Sequence, residues 1–374
     1  MTADTQETHK DHAVFQHIPV TRQQVLNCSF SSWYDKYKPH VPKSKIIKPL
    51  PSSFIHYLTS DGIVLPQEGP GSDNVGWSDD EEQENNEQIK ELEIDESELE
   101  SDSEEDQEPK KTFSELVSTF QETHDKIQSI IDQYGAVTPK LNWSAPRDAT
   151  WITTTNTMKC TNVLDLYLLL NASNYVMYDI DSAFDECEDQ NNGEANKHVE
   201  YELVLRKWVN VNPALEFRCF VKGRKLIGIS QRELNYYDFL EALGSTLKPL
   251  IVDFFNNVLR DTFDDADFVF DVYIPRPFDK VFLIDINTFS RTTDSQMFTW
   301  HELALINAEE FDQEKDMEFR LVTKMNKGRF YSKEHSENQV PRDVVDASLD
   351  SNAMAELAKQ WRELQVKAGV DPDA

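Results

Sequence analysis

Polar side chains that could bind a metal lie on two apolar stretches between Asp267 and Arg291. The stretches read DFVFDVYI and VFLIDINTF, and both are rich in Val, Ile and Phe, as buried strands are. Asp271 lies in the middle of the first stretch, and Asp285 and Asn287 lie in the second. Because side chains alternate between the two faces of a strand, Asp285 and Asn287 share one face.

Two carboxylates and one amide oxygen on neighbouring strands are the hard oxygen ligands that Mg²⁺ takes, with phosphates and water at its other positions. For a single aspartate in a strand, the commoner outcome is a solvated sheet face or an ion pair with Arg or Lys. A carboxylate buried without a partner is costly. The Asp-x-Asn spacing inside so apolar a run favours metal binding over that alternative, and we predict a magnesium site at Asp271, Asp285 and Asn287.

A second group consists of cations at positions where apolar residues are expected: Lys140, Arg206, Lys207, Arg218 and Arg232. Several cations beside a divalent metal are suited to hold a nucleoside triphosphate. An arginine in the middle of a strand, as in EFRCFV, requires an anion, and Glu216 is the alternative partner for Arg218. The chain has no GxxxxGK[ST], GxGxxG, HRD or DFG motif, which excludes P-loop proteins and ordinary protein kinases.

The elements that must position these residues follow from local patterns. The segment 216–232 predicts a hairpin that turns at Lys222-Gly223-Arg224. We predict further strands at 175–180 and 199–209, and a strand or a mixed segment at 319–331. Helices are predicted at 112–134, 161–170, 245–260 and 298–306. The 245–260 helix would carry Pro249 in its first turn. The segment 137–152 is interrupted by prolines and predicts a site-lining loop in which Trp143 and Trp151 are buried.

The charge of the chain is uneven. The 374 residues carry a formal net charge of −31, and residues 79–108 hold 17 acidic residues against one lysine. Such a run cannot offset the entropy of ordering, and we predict that it is disordered. The acidic balance argues against nucleic acid or an anionic membrane as a partner. Four scattered cysteines predict a cytosolic or nuclear protein with reduced thiols. The sequence shows no signal peptide and no apolar run of membrane-spanning length, and of these compartments we predict the cytoplasm.

Four separated segments carry a family resemblance. They read SSWYDKYKPHVPKSKIIKPL, PKLNWSAPRDATWI, LRKWVNVNPALEFRCFVKGRKLIGISQR and FLIDINTFSRTTDSQMFTWHEL. In this order they resemble the cell division cycle protein 123 family, also called D123, whose members are assembly chaperones for translation initiation factor two. The carboxylate on one strand followed by Asp-x-Asn on the next also resembles the magnesium ligands of ATP-grasp proteins.

The resemblance implies an α+β, ATP-grasp-like fold of two subdomains with nucleotide between them. Residues 1–20 would be a flexible arm, and 68–109 a disordered acidic loop. The N-terminal subdomain would comprise 21–67 and 110–200, and the C-terminal subdomain 201–331 would hold the nucleotide and Mg²⁺. Residues 332–374 would form an extension with an amphipathic helix.

The resemblance also implies roles for individual residues. Lys140 would reach the phosphates, and Ala145 and Asp148 would border the nucleotide. The hinge would present its backbone to the adenine edge; it consists of Arg206, Lys207, Trp208 and Val209. Arg218 and Arg232 would face phosphate oxygens, and Asp271, Asp285 and Asn287 would hold Mg²⁺. Many ATP-grasp enzymes have Glu where this chain has Asp285, and the shorter side chain is tolerable for Mg²⁺.

The leading hypothesis is a binding protein with no catalytic residue. It would hold ATP and Mg²⁺, exist as a monomer on its own, and dock on the gamma subunit of initiation factor two, so supporting translation initiation and cell-cycle progression. The alternatives are an ATP-dependent ligase or protein kinase, and an α+β protein whose Asp and Arg residues merely pair. We expect the docking surface near Trp33, Tyr34 and Tyr37, beside the basic patch of Lys43, Lys45 and Lys48.

Overall fold

The computed structural model describes residues 18–60, 113–189 and 199–326. The predicted acidic loop, the C-terminal extension and nearly all of the N-terminal arm lie outside these residues. Among the described helices, none combines the length and apolar character needed to cross a bilayer.

The described helices and strands are interspersed along the chain. The helices are α1 (Arg22–Asn27), α2 (Phe30–Tyr37), α3 (Ser52–Thr59), α4 (Phe113–Ser118), α5 (Gln121–Tyr134), α6 (Val163–Asn171), α7 (Asn174–Asp181), α8 (Leu240–Phe254), α9 (Trp300–Leu305) and α10 (Gln313–Asp316). Short 3₁₀ helices span Lys38–His40, Arg147–Ile152 and Pro213–Leu215, and a π-helical turn at Phe255–Leu259 follows α8. The strands are β1 (Ser44–Ile47), β2 (Val137–Lys140), β3 (Leu203–Lys207), β4 (Glu216–Lys222), β5 (Lys225–Gln231), β6 (Phe268–Tyr273), β7 (Phe282–Thr288) and β8 (Glu318–Arg320).

The strands form two sheets, each with its own apolar core. The smaller sheet is antiparallel with the order β1-β3-β2, and it packs against α3, α5 and α6. The larger sheet has the order β7-β6-β4-β5-β8, and among its described strands only the β5–β8 pair is parallel. One face of the larger sheet packs against α8 and the other against the segment around α9. The α+β class predicted from the sequence is confirmed.

The predicted hairpin of 216–232 is present, as β4 and β5. Its two turn residues, Gly223 and Arg224, have φ values of 55° and 58°. Positive φ at both central positions matches the right-handed twist of the strands that the turn joins. A two-residue turn therefore fixes the register of the hairpin.

Several local predictions are wrong. The segment 175–180 is helical, within α7, because the Ser173 side chain accepts the Val176 N–H and caps a helix there. The helix predicted at 112–134 is broken near Phe120 into α4 and α5. Pro249 lies inside α8 rather than in its first turn, because α8 begins at Leu240. Trp151 is 69% exposed, not buried.

Other element boundaries differ by a few residues. The segment 319–331 was predicted as a strand or a mixed segment; it overlaps the short β8 only at its beginning, and its residues after 326 lie outside the described ones. The segment 137–152 contains β2 and a 3₁₀ helix as well as a loop. Helix α2 packs in the core of the larger sheet, although it precedes the smaller sheet in the chain. The subdomain boundaries themselves stay a prediction.

Candidate functional site

One row of side chains crosses the larger sheet. Asp285 on β7 is opposite Asp271 on β6, which is opposite Arg218 on β4. Residues opposite each other in antiparallel strands project from the same face. Asn287, two residues after Asp285, is opposite Val269 on that face. The structure therefore brings the predicted metal ligands together beside one of the predicted phosphate-binding arginines.

Asp271 is the buried centre of this row, with 1% of its surface exposed. Arg218 holds it with two parallel hydrogen bonds, Nε to Oδ1 and Nη2 to Oδ2, each 2.8 Å, and Arg232 Nε donates to Oδ2 at 2.9 Å. Burial alone would raise the pKa of Asp271, but the two guanidinium groups hold it well below its usual range. The alternative pairing of Arg218 with Glu216 is wrong.

Two cations reach this row from the smaller sheet. Lys140, at the end of β2, places Nζ 2.8 Å from Asp285 Oδ2 and also donates to the Trp143 carbonyl. Arg206 on β3 donates from Nη2 to the Ile284 carbonyl at 2.8 Å. That carbonyl is available because β7 has a bulge, in which Asp271 pairs with Asp285 but Val272 pairs with Leu283. The candidate site therefore lies where the two sheets meet.

Glu216 and Arg147 extend the site and were not chosen from the sequence. Glu216 Oε2 lies 3.9 Å from Arg232 Nη1 and 4.0 Å from Arg147 Nη1. Burial first, and then the charge of Asp271, raise the pKa of Glu216 to about 7. A signal was present in the sequence. Glu216 is two residues before Arg218 on one strand face, and Arg147 lies between Ala145 and Asp148, which were both assigned to the nucleotide.

The site carries an excess of positive charge. At neutral pH Glu216 is only partly ionised, and the charges of three aspartates, Asp271, Asp285 and Asp294, act on this group. They face four cations that the structure buries or half-buries: Lys140, Arg206, Arg218 and Arg232. Within the described part of the chain, the buried Nε of Arg206 has no hydrogen-bond partner. Burial also lowers the pKa of Arg206. A buried cation that has an unpaired hydrogen-bond donor is stabilised when an anionic ligand supplies the acceptor.

The donor set fits Mg²⁺ only with help from a ligand. Asp285 Oδ1 accepts one hydrogen bond, from the Ile286 N–H at 3.0 Å. The Asn287 amide nitrogen is buried without a hydrogen-bond partner among the described residues. Over the same residues, no group of three or more His, Cys, Asp or Glu side chains could hold a metal. The site can therefore supply carboxylate and amide oxygens, and phosphate and water would have to complete the coordination.

The remaining predicted nucleotide residues lie around this centre. The Ala145 carbonyl accepts the Arg147 N–H at 2.7 Å. Asp148 accepts hydrogen bonds from Ser173 Oγ at 2.6 Å and from the Asn174 N–H at 2.7 Å, so its carboxylate caps α7. Its predicted role at the nucleotide stays a prediction.

Two backbone N–H groups of the predicted hinge are already hydrogen-bonded within the protein. The Lys207 N–H donates to the Lys43 carbonyl at 2.8 Å, and the Trp208 N–H donates to the Ala136 carbonyl at 3.0 Å. Val209 is 52% exposed and follows the end of β3. Contact with an adenine edge would therefore depend on Val209 and on hinge carbonyls.

The stretch expected to dock a partner is buried in part. Trp33, Tyr34 and Tyr37 all pack in the core of the larger sheet. Lys43 and Lys45 are exposed, whereas Lys48 Nζ lies 3.3 Å from the carboxylate of the fully buried Glu202. Lys48 therefore has a structural role that Lys43 and Lys45 do not share.

Comparison with known proteins identifies the family. The D123 family model matches residues 33–348. The chain belongs to the D123 family. The "Cell division cycle protein 123" of Candida glabrata is 50% identical over 355 residues, which are 95% of this chain and 96% of that relative. The "Translation initiation factor eIF2 assembly protein" of Kluyveromyces lactis is 53% identical over 352 residues, 93% of each chain.

A solved structure agrees with this D123 assignment. The structure of Cdc123 from Schizosaccharomyces pombe is 37% identical and superposes with a TM-score of 0.62. The match covers 82% of this chain and all of that chain. The predicted family is confirmed, and the described fold is that of a D123 protein.

Proposed function

We propose that this D123-family protein is an assembly factor for translation initiation factor eIF2. It binds the gamma subunit and works in the cytoplasm with ATP and Mg²⁺ bound. Support for the assembly role comes from family membership together with the names of relatives such as the eIF2 assembly protein of Kluyveromyces lactis. The four cysteines are all unpaired and buried, which fits a reducing compartment.

The observation that supports ATP–Mg²⁺ binding is the meeting of four cations and two carboxylates at the contact between the sheets. Lys140 and Arg206 come from the smaller sheet, and Arg218, Arg232 and the aspartates come from the larger one. A triphosphate would pair with the surplus positive charge and would offer an acceptor to Arg206 Nε.

Each group would have a defined part in binding. Arg206, Arg218 and Arg232 would bind phosphate oxygens, and Lys140 would pair either with Asp285 or with a phosphate oxygen. Asp285 and Asn287 would hold Mg²⁺ in an ATP-grasp-like arrangement. Asp271 would join them only if phosphate drew Arg218 or Arg232 away from its carboxylate. When bound, Mg²⁺ would neutralise part of the phosphate charge.

Isothermal titration with ATP in the presence and absence of Mg²⁺ tests the nucleotide site. We expect Asp285→Ala to abolish Mg²⁺-dependent ATP binding, because it removes a proposed ligand whose side chain is 19% exposed. Asp279→Ala is the matched control, because Asp279 is exposed in the β6–β7 connection. Unchanged ATP affinity in Asp285→Ala would show that the site is not the one proposed.

Two further measurements separate an assembly factor from an enzyme. Retention of intact ATP, together with capture of purified eIF2 gamma subunit, is the expected result. Steady release of phosphate or ADP in the presence of a defined acceptor would instead favour the ligase or kinase alternative. Failure to capture the gamma subunit would refute the proposed partner, but it would not affect the conclusion about ATP binding.

A further inference from the structure

A buried carboxylate outside the proposed nucleotide site holds the backbone of the loop that follows β2. Asp179 lies on α7 and is 2% exposed. It accepts three hydrogen bonds, from the Trp143 N–H at 3.0 Å, from the Ser144 N–H at 2.8 Å and from Ser144 Oγ at 2.7 Å. Three donors on one carboxylate fix the loop backbone firmly against α7.

The same loop holds α7 in return. Asp148, at the far end of the loop, accepts hydrogen bonds from Ser173 and Asn174 at the beginning of α7. Asp179, near the end of that helix, holds Trp143 and Ser144. The loop and the helix are thus joined by one carboxylate from each.

The geometry of a single peptide unit connects Asp179 to Lys140. The Ser144 N–H and the Trp143 carbonyl belong to the same planar trans peptide and point in opposite directions. The N–H donates to Asp179, so the carbonyl is directed away from α7, and it accepts a hydrogen bond from Lys140 Nζ. Lys140 Nζ in turn pairs with Asp285. Each link is a hydrogen bond or a rigid peptide plane.

We propose that Asp179 is a positioning residue for the nucleotide site, acting through the Trp143–Ser144 peptide to fix the ammonium group of Lys140. The inference rests on the proposed ATP–Mg²⁺ function, but it concerns a residue that need not touch nucleotide. Without an oriented acceptor in the loop, the long side chain of Lys140 could place Nζ at other acceptors. The oriented Trp143 carbonyl holds Lys140 Nζ beside Asp285.

The ionisation of Asp179 gives the test a signature of its own. Burial raises its pKa to about 6, although hydrogen bonds from Ser144 and Trp143 act in the opposite direction. The charged and titratable groups that act on it or respond to it are Lys140 and Tyr201. The carboxylate is ionised at neutral pH and loses acceptor capacity as the pH falls through about 6. ATP affinity should therefore fall over the same range.

The experiment measures ATP–Mg²⁺ affinity of the full chain by isothermal titration from pH 5 to pH 8. At pH 7.5 we expect Asp179→Asn to weaken binding by about tenfold, the effect of losing one charge-assisted hydrogen bond. The variant should also lose the part of the pH dependence centred near the pKa of Asp179. Asp181→Asn, on the exposed end of the same helix, is the matched control and should keep the wild-type profile.

A second variant tests the positioning role of Asp179 even if Asp179→Asn fails to fold. Ser144→Ala removes a hydroxyl that stabilises the ionised carboxylate, so the pKa of Asp179 should rise and the fall in affinity should move to higher pH. A merely structural role would not move that midpoint. An unshifted midpoint in Ser144→Ala overturns the inference, as do wild-type affinity and profile in Asp179→Asn. Absence of ATP binding to the wild-type protein would instead refute the proposed function.

Discussion

Neutralising Asp271 should strongly destabilise the protein. In Asp271→Asn the side chain keeps its shape and one oxygen, but the charge that holds Arg218 and Arg232 is lost. The wild-type carboxylate receives hydrogen bonds of 2.8, 2.8 and 2.9 Å and is almost fully buried. Removing one partner of a buried ion pair costs about 3–5 kcal/mol, and we expect about 3 kcal/mol because the amide oxygen still accepts.

Urea unfolding followed by tryptophan fluorescence measures this loss. With a slope of about 3 kcal/mol per molar urea, the midpoint of Asp271→Asn should lie about 1 M below that of the wild type. Asp279→Asn is the control, because Asp279 is exposed in the same hairpin and its replacement should change stability by less than about 0.5 kcal/mol.

The pH dependence gives the prediction a sign. The pKa of Asp271 is lower in the folded protein than in the unfolded chain, so its contribution is complete above the unfolded value of about 3.9. It is lost as the pH falls through the folded-state pKa. The difference between wild type and Asp271→Asn should be constant from about pH 5 to pH 8 and narrow only at lower pH. Equal urea midpoints at pH 7 would refute the view that this carboxylate holds the row together.

Three other predictions concern other parts of the chain. Charge reversal of the exposed Lys43 and Lys45 should weaken capture of the eIF2 gamma subunit without changing ATP binding; wild-type affinity across a range of salt concentrations would move the docking surface elsewhere. Deleting residues 80–108, which lie outside the described residues, should leave the melting temperature and ATP binding nearly unchanged, and a large fall in melting temperature would show that the segment packs. Gly228→Ala should cost about 1–3 kcal/mol because its Cβ would lie 2.7 Å from a buried phenylalanine ring. Gly244 lies inside a helix, and a Cβ added there would have its nearest neighbour at 3.7 Å, so Gly244→Ala should raise the free energy of unfolding by at most about 1 kcal/mol. Thermal unfolding compares the two variants, and equal shifts in melting temperature would contradict the packing argument.

Much of the larger sheet was predictable because its signals are local. The β4–β5 turn requires two residues of positive φ in a short connection, and Gly223-Arg224 supplies them. The shared face of Asp285 and Asn287 follows from strand alternation alone, and the register of β6 and β7 preserves it. These features depend on neighbours within a few residues, so a pattern in the chain is enough to predict them.

Short apolar runs were less predictable because periodicity over a few residues does not separate helix from strand. The segment 175–180, which lies within α7, has the Val, Tyr and Ile content of a strand. The Ser173 cap and the Asp148 carboxylate nevertheless stabilise the first turn of α7 as a helix. Likewise, Trp151 is large and apolar, yet no local rule states which side of its 3₁₀ helix faces solvent.

The sequence by itself determined which residues could form the site, and the tertiary structure decided how they pair. Glu216 and Asp271 were both available to Arg218, one on its own strand and one on a neighbour. Strand register places Asp271 directly opposite, so the two parallel hydrogen bonds form there. The contact of Lys140 with Asp285 joins residues that lie far apart in the chain and on different sheets. Such pairings depend on sheet order and packing, because the free energy of bringing distant groups together is set by the whole fold rather than by the spacing of residues along the chain.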